Sequence, residues 1–367
     1  MNLDKYLNTH SPGYVIDILK DNHIEEYVIG NKCTKPIQEK TTKDTYYDIA
    51  SLTKTYTAVL IYIAYEEHKI NLQDTIYQID SNFIKLKDIT ILDLLSHNQD
   101  IWTDGYLGDA STKEEFYKIL YTAYVKSTIP NYVDVHYIIL STLLEKIYQK
   151  DYESLIQEKI LDKLHLTHTT FHPDKDNTAS NNYEQNSKID IPPGTIHDNK
   201  ARRAKELGIH TGHASIFTTA NDLILFLKSF LDNSLLSKET INFMLSHNNI
   251  TDWNKKYLSD YSSSNDLNIM YDDYLKKNIN IKLPRTYNYM GTRYKNPITI
   301  LNDVPLICSD HSISFSGFTG PMYTIDFQNK IIVVIMCNVM HNTQLSREER
   351  KNMTFEIMTE IYKKLLK

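Results

Sequence analysis

At 367 residues with 41% hydrophobic residues, the chain has material for two packed subdomains around an ample core. A net charge of -6 argues against a phosphate backbone or an acidic membrane surface as partner, and Cys33, Cys308 and Cys337 have neither metal-ligand spacing nor an even count for a disulfide framework. The N-terminus lacks a secretory pattern and no apolar run nears the roughly 18 residues a bilayer needs, so a soluble, cytoplasmic chain with reduced thiols is expected unless a leader has been removed.

The first stretch, GYVIDILKDNHIEEYVIG from Gly13 to Gly30, reads as two strands around a polar turn, because apolar residues crowd both sides of KDNH. A helical pattern starts at Thr53 and runs to His68. Helix-like segments then dominate to about Ala220, broken by polar loops such as HPDKDNTASNNYEQNSKID. The basic run KARRAK at 200–205 is too short for a duplex footprint and is expected as a solvated surface turn. TTANDLILFLKSFLDN predicts another helix, followed by a polar stretch rich in Tyr and Asn to about residue 305. HSISFSGF, GPMYTIDF and KIIVVIMCN predict three consecutive strands, with QNK as one turn. The last segment predicts a helix opened by a Ser346/Glu349 capping box, with Met353, Ile357, Ile361 and Leu365 on one face. Strands near both ends around a helical middle predict an α/β domain from 1–50 and 221–367, with a mostly helical domain, 51–220, inserted into it.

SLTK, at the head of the first helical pattern, carries the chemistry. Residues three apart share a helix face, so the Lys54 amine can reach the Ser51 hydroxyl. A serine needs a base to take its proton during attack, and a desolvated lysine can be neutral often enough to serve. A helix N-terminus adds N–H groups and a dipole end suited to an oxyanion. The plain alternative is an N-cap serine followed by a solvated lysine.

The surrounding sequence resembles the serine β-lactamase and penicillin-binding family, in its class C β-lactamase, D-alanyl-D-alanine carboxypeptidase and esterase branch. After S-x-x-K, Leu72 and Asp74 stand in its "LxLxD" and Leu94, Leu95 and His97 in its "LLxH"; the usual "TSG" is replaced by Asn98, Gln99 and Asp100. The Y-x-N motif falls on Tyr132 and, in place of the amide, Asp134. A carboxylate near Lys54 would favour its charged form, which makes a worse base. The K-T-G or H-x-G strand motif falls on Phe315, Ser316 and Gly317, with an aromatic ring where the family has a cation, as esterase members often do.

A fourth stretch, HDNKARRAKELGIHTGHASIFTT, resembles a "VHDxNA…GHAGLFST" signature, with His197, Asp198, Asn199 and Ala201 read as matches. His210 and His213 invite a zinc reading, but the family needs no metal and no third ligand is evident, so no metal and no cofactor are expected. The resemblance implies an α+β two-domain fold with an antiparallel sheet flanked by terminal helices and the site in a cleft against the helical domain. It implies Ser51 as nucleophile, Lys54 and Tyr132 as the base pair, and the N–H groups of Ser51 and Phe318 as the oxyanion hole. Asp134, Phe315, Ser316 and Gly317 would line the substrate site. The implied substrate is a small or peptide-like ester or amide, with acyl group and oligomeric state left open. A homologue that binds such a ligand without turnover is the alternative, and a true β-lactamase ranks last.

Overall fold

The computed structural model describes residues 3–181, 191–246, 258–277, 287–295, 303–341 and 345–367. Part of the polar loop before residue 191 and much of the Tyr- and Asn-rich stretch lie outside them.

One seven-stranded antiparallel sheet organises the molecule. Its strands are β1 (Gly13–Lys20), β2 (His23–Cys33), β3 (Glu39–Lys40), β4 (Arg293–Tyr294), β5 (Ser312–Ser316), β6 (Met322–Asp326) and β7 (Ile331–Cys337), in the order β3-β2-β1-β7-β6-β5-β4. The N-terminal hairpin forms as the sequence predicts. Its two-residue turn, Asp21-Asn22, has φ of 51° and 60°, the left-handed pair that a right-twisted hairpin favours and that Asp and Asn tolerate. The two ends of the chain meet at the sheet centre, where β1 pairs β7 with Ile16 opposite Ile335 and Ile18 opposite Val333.

These central strands are apolar on both faces, and the period of two decides what each residue packs against. Tyr14, Ile16, Ile18, Val333 and Ile335 meet Ile357, Met358, Ile361 and Tyr362 of the C-terminal helix. Val15, Leu19, Ile332, Val334 and Met336 point the other way, into the main core. Each such side chain contributes roughly 1.5–3 kcal/mol by burial. Asp17 is the exception on that inner face: its carboxyl is buried with no hydrogen-bond partner.

Five helices matter for the site: α1 (Thr53–Glu66), α2 (Val135–Tyr148), α3 (Asn199–Glu206), α4 (Ala220–Asp232) and α5 (Arg347–Leu365). Helix α1 is buried from Thr53 to Ala64 on every side, as expected of a helix apolar all round. It packs on α2, while α4 lies across β1 and β7. The capping box predicted for α5 is present, Ser346 accepting from the Glu349 N–H and Glu349 accepting in return. Two small sheets lie outside the predictions: Tyr47–Asp48 with Phe217–Thr218 and Thr169–Thr170, and Asp100–Trp102 with Tyr124–Ser127. Strands of two to four residues are too short to show a period of two. Among the described residues no helix is long and apolar enough to cross a membrane.

Candidate active site

Ser51 sits in a 3-10 turn, Ala50–Leu52, between the short Tyr47–Asp48 strand and α1. The residues flanking the starts of that turn and of α1, Ile49 and Leu52, make no side-chain cap bond, so Ser51 is not a cap. Ala50 is held at φ 45°, a left-handed conformation that costs a residue with a Cβ about 1–2 kcal/mol. Asp48 supports it. One carboxyl oxygen accepts from the Ala50 N–H and the other from the His197 N–H, both at 2.8 Å, and the Asp48 carbonyl accepts from the Thr319 hydroxyl at 2.6 Å. One buried residue therefore ties the serine turn, the segment before α3 and the end of β5. Burial raises the Asp48 pKa to about 6, against the pull of those N–H donors.

The Lys54 ammonium lies 3.1 Å from the Ser51 hydroxyl, on the shared face that the three-residue spacing predicts. It also donates to Asp134 at 2.9 Å and to the His213 carbonyl at 3.1 Å, and stands 4.9 Å from the centre of the Tyr132 ring. The lysine is 1% exposed. Burial by itself would lower its pKa, but Asp134 and Tyr132 outweigh burial and the net direction is up. Asp134 in turn receives Lys200 at 3.0 Å, Lys200 reaches Asp198 at 3.3 Å, and Asp198 meets His213 Nε2 at 2.9 Å. A closed loop of contacts results, from Lys54 through Asp134, Lys200 and Asp198 to His213, whose backbone carbonyl accepts from Lys54. Burial opposes the charge of Asp134, yet Lys54, His213 and Lys200 together hold it well below the usual carboxylate range.

The end of β5 forms the opposite wall. A Cβ on Gly317 would stand 2.6 Å from the Ile49 carbonyl oxygen, so the strand passes the serine turn at a distance only glycine allows. Phe315, where the family has a cation, is 4% exposed and meets the Tyr132 ring edge-on at 6.3 Å. Tyr132 is packed from its other sides by His97 at 4.5 Å and Tyr287 at 5.8 Å. His97 and His136 share one hydrogen bond, Nδ1 to Nδ1 at 2.9 Å. Burial drives the His97 pKa well below its ordinary value, with His136 and Lys54 adding repulsion, and takes His136 to about 3. Both imidazoles are neutral at pH 7. Ser316 and Gly317 are half-buried, and the Phe318 ring is exposed beside His197, Arg347 and Arg350.

The structure thus brings Ser51, Lys54, Tyr132, Asp134 and Phe315 together and carries Gly317 past the serine turn. Two expectations change. KARRAK is no surface turn: it lies in helix α3, which Asp198 caps by accepting from the Lys200 and Ala201 N–H groups and which buries Ala201 and Ala204. The signature asparagine is not Asn199, since "VHDxNA" counted from His197 puts that place on Lys200. Two amide positions, one in each motif, therefore carry Asp134 and Lys200, and the two replacements form an ion pair. The charge run hid Lys200, because four of its six residues are basic and nothing local says which one turns inward. His210 and His213 do not converge either: His213 pairs with Asp198 and His210 with Glu153.

The sequence matches the Beta-lactamase family over residues 3–355. A protein of Escherichia coli O157:H7 named "Putative D-alanyl-D-alanine carboxypeptidase" is 24% identical, covering 93% of this chain and 82% of its own length. The crystal structure of FmtA from Staphylococcus aureus superposes with a TM-score of 0.66 at 21% identity, over 97% of this chain and 86% of that one. EstCE1, described as a hydrolase with promiscuous acyltransferase activity, gives 0.73 at 15% identity, over 97% and 96%. At these identities the structural likeness carries the fold alone.

Proposed function

The chain belongs to the Beta-lactamase family, and from that premise we propose that it is a serine hydrolase that forms an acyl-enzyme on Ser51 from an ester or amide, with esters preferred. The single observation that carries this reading is the buried Lys54 amine 3.1 Å from the Ser51 hydroxyl, at the head of α1 and beside Tyr132. In the reaction, Ser51 Oγ bonds to the substrate carbonyl carbon while its proton passes to neutral Lys54. The oxyanion is met by the N–H groups of Ser51 and Phe318. Collapse breaks the bond to the leaving alcohol or amine, which takes its proton from the Lys54 and Tyr132 pair. Water then repeats the sequence and frees the acid.

Phe315 supports the preference for esters over β-lactams and carboxypeptidase peptides, because it offers no cation to a substrate carboxylate. Kinetics decide it: short-chain p-nitrophenyl esters are turned over, Ser51→Ala removes the activity, and nitrocefin and a D-alanyl-D-alanine peptide are at least tenfold poorer in kcat/KM. Nitrocefin hydrolysis at about 10⁴ M⁻¹s⁻¹ or more would overturn the ester reading. The 2.9 Å contact between Asp134 and Lys54 favours a second reading, a homologue that binds an acyl or peptidoglycan-like ligand without turnover, since a lysine held charged is a spoiled base.

A further inference from the structure

The zinc reading of His210 fails with His213 as partner, yet the fold gives His210 two other neighbours. Glu153, in the short helix Tyr152–Ile156, places one carboxylate oxygen 3.0 Å from His210 Nε2 and 3.1 Å from His172 Nε2. The three donor atoms lie within 4.8 Å of one another, and the imidazole planes stand at 90° with centroids 5.5 Å apart. Two donors each about 2.1 Å from an ion, at tetrahedral or octahedral angles, are about 3.0–3.4 Å apart, so both glutamate–histidine distances suit one shared cation. The other such cluster among the described residues, Asp134, Asp198 and His213, already holds the Lys200 ammonium between its two carboxylates.

We propose that Glu153, His172 and His210 form a binding site for a divalent transition-metal ion, Zn²⁺ first and Co²⁺ or Ni²⁺ in its place. Two imidazoles and one carboxylate are the donor set these borderline ions prefer over Mg²⁺ or Ca²⁺. The donors come from three separate segments that meet only in the fold, which the sequence could not show. His172 is 60% exposed, giving the ion a path in and leaving room for water ligands, while His210 is 15% exposed and fixed edge-on against Phe171 at 4.7 Å. Lys205, which donates to the Phe171 carbonyl, and Asp151 are the nearby charges of opposite sign.

The site cross-links the segment leading to the catalytic cleft. Two residues after His210, the Gly212 carbonyl accepts from the Thr57 hydroxyl and its N–H donates to the Ser141 hydroxyl, and the His213 carbonyl accepts from Lys54. A bound ion pins that segment to the Tyr152–Ile156 helix and to the loop carrying His172. Its expected role is structural, separate from the serine chemistry.

The test is calorimetric titration of untagged protein with Zn²⁺, with Co²⁺ absorption as a second readout. The wild type is expected to bind one ion, with a tetrahedral or five-coordinate Co²⁺ spectrum and a rise in Tm at saturating Zn²⁺. His172→Ala, on an exposed residue whose loss leaves the core intact, and His210→Ala are each expected to weaken binding at least tenfold, and Mg²⁺ to give no signal. Absence of binding to the wild type, or equal affinity in wild type and both variants, overturns the proposal. Neither outcome depends on hydrolysis, so failure here leaves the Ser51 reading standing.

Discussion

Asp134→Asn, combined with Lys200→Asn, gives the sharpest view of the contact loop. Lys54 must be neutral to accept the Ser51 proton, so esterase activity rises with pH through the Lys54 pKa, and whatever raises that pKa moves the ascending limb to higher pH. At 2.9 Å and an effective dielectric of about 20, the attraction between Lys54 and Asp134 is about 5–6 kcal/mol before solvent at the partly exposed carboxylate weakens it, and its direction is to raise the Lys54 pKa. Lys200 contacts the other oxygen of the same carboxylate at 3.0 Å, so it competes with Lys54 for that charge and repels the Lys54 ammonium. Asp134→Asn should therefore move the limb to lower pH and raise kcat/KM at neutral pH at least tenfold. Lys200→Asn should move the limb to higher pH, because Lys54 then has Asp134 to itself. The double variant, which restores both amides, should fall between Asp134→Asn and the wild type. The assay is kcat/KM for a short-chain p-nitrophenyl ester across pH 6 to 9, on the rising side of the limb, where a limb at lower pH shows as a higher rate at every pH, with Tm measured to confirm folding. A folded Asp134→Asn without activity makes the carboxylate a working part of the mechanism and refutes this account, as does a Lys200→Asn limb that moves down.

Gly317→Ala should cost at least a hundredfold in kcat/KM and also lower Tm, because the added Cβ meets the Ile49 backbone and pushes the end of β5 off the serine turn; a variant with normal kinetics would show that the close approach is dispensable. Asp48→Ala should likewise reduce kcat far more than it raises KM, since it releases Ala50 and leaves substrate contacts untouched. Burial, with Glu26 opposite adding repulsion, lifts the Asp17 pKa to about 7, above the ordinary carboxylate value. The folded state therefore holds a proton the unfolded chain gives up near pH 4, so this contribution is present at low pH and is lost as pH rises through 7. Asp17→Asn should then be more stable than the wild type at pH 8, by up to about 4 kcal/mol, and nearly equal at pH 4; thermal melts across that range check it, and a gap that does not grow with pH contradicts it.

What the sequence made legible was local or periodic. The Ser51 and Lys54 pairing follows from one helix turn, the hairpin from the apolar runs around Asp21-Asn22, and β5 to β7 from apolar runs separated by turn residues. The Asp134 contact with Lys54 was foreseen from a motif eighty residues away, because the motif says which side chains share a wall. Lys200 was lost in a run whose charges look alike until α3 turns one of them inward. Asp48 was lost because its work is done on backbone N–H groups, which no side-chain pattern records. Glu153 with His172 and His210 was invisible for a third reason: two loops and a five-residue helix bring them together, and no spacing encodes that.

The central claim, that Ser51 is the nucleophile and Lys54 its base, is tested most directly by intact mass after incubation with a fluorophosphonate. The wild type should gain one adduct, Ser51→Ala none, and Lys54→Met one at a rate at least a hundredfold lower. An adduct that persists in Ser51→Ala contradicts the assignment, and a folded wild type that gains no mass makes the chain a binding protein rather than a hydrolase.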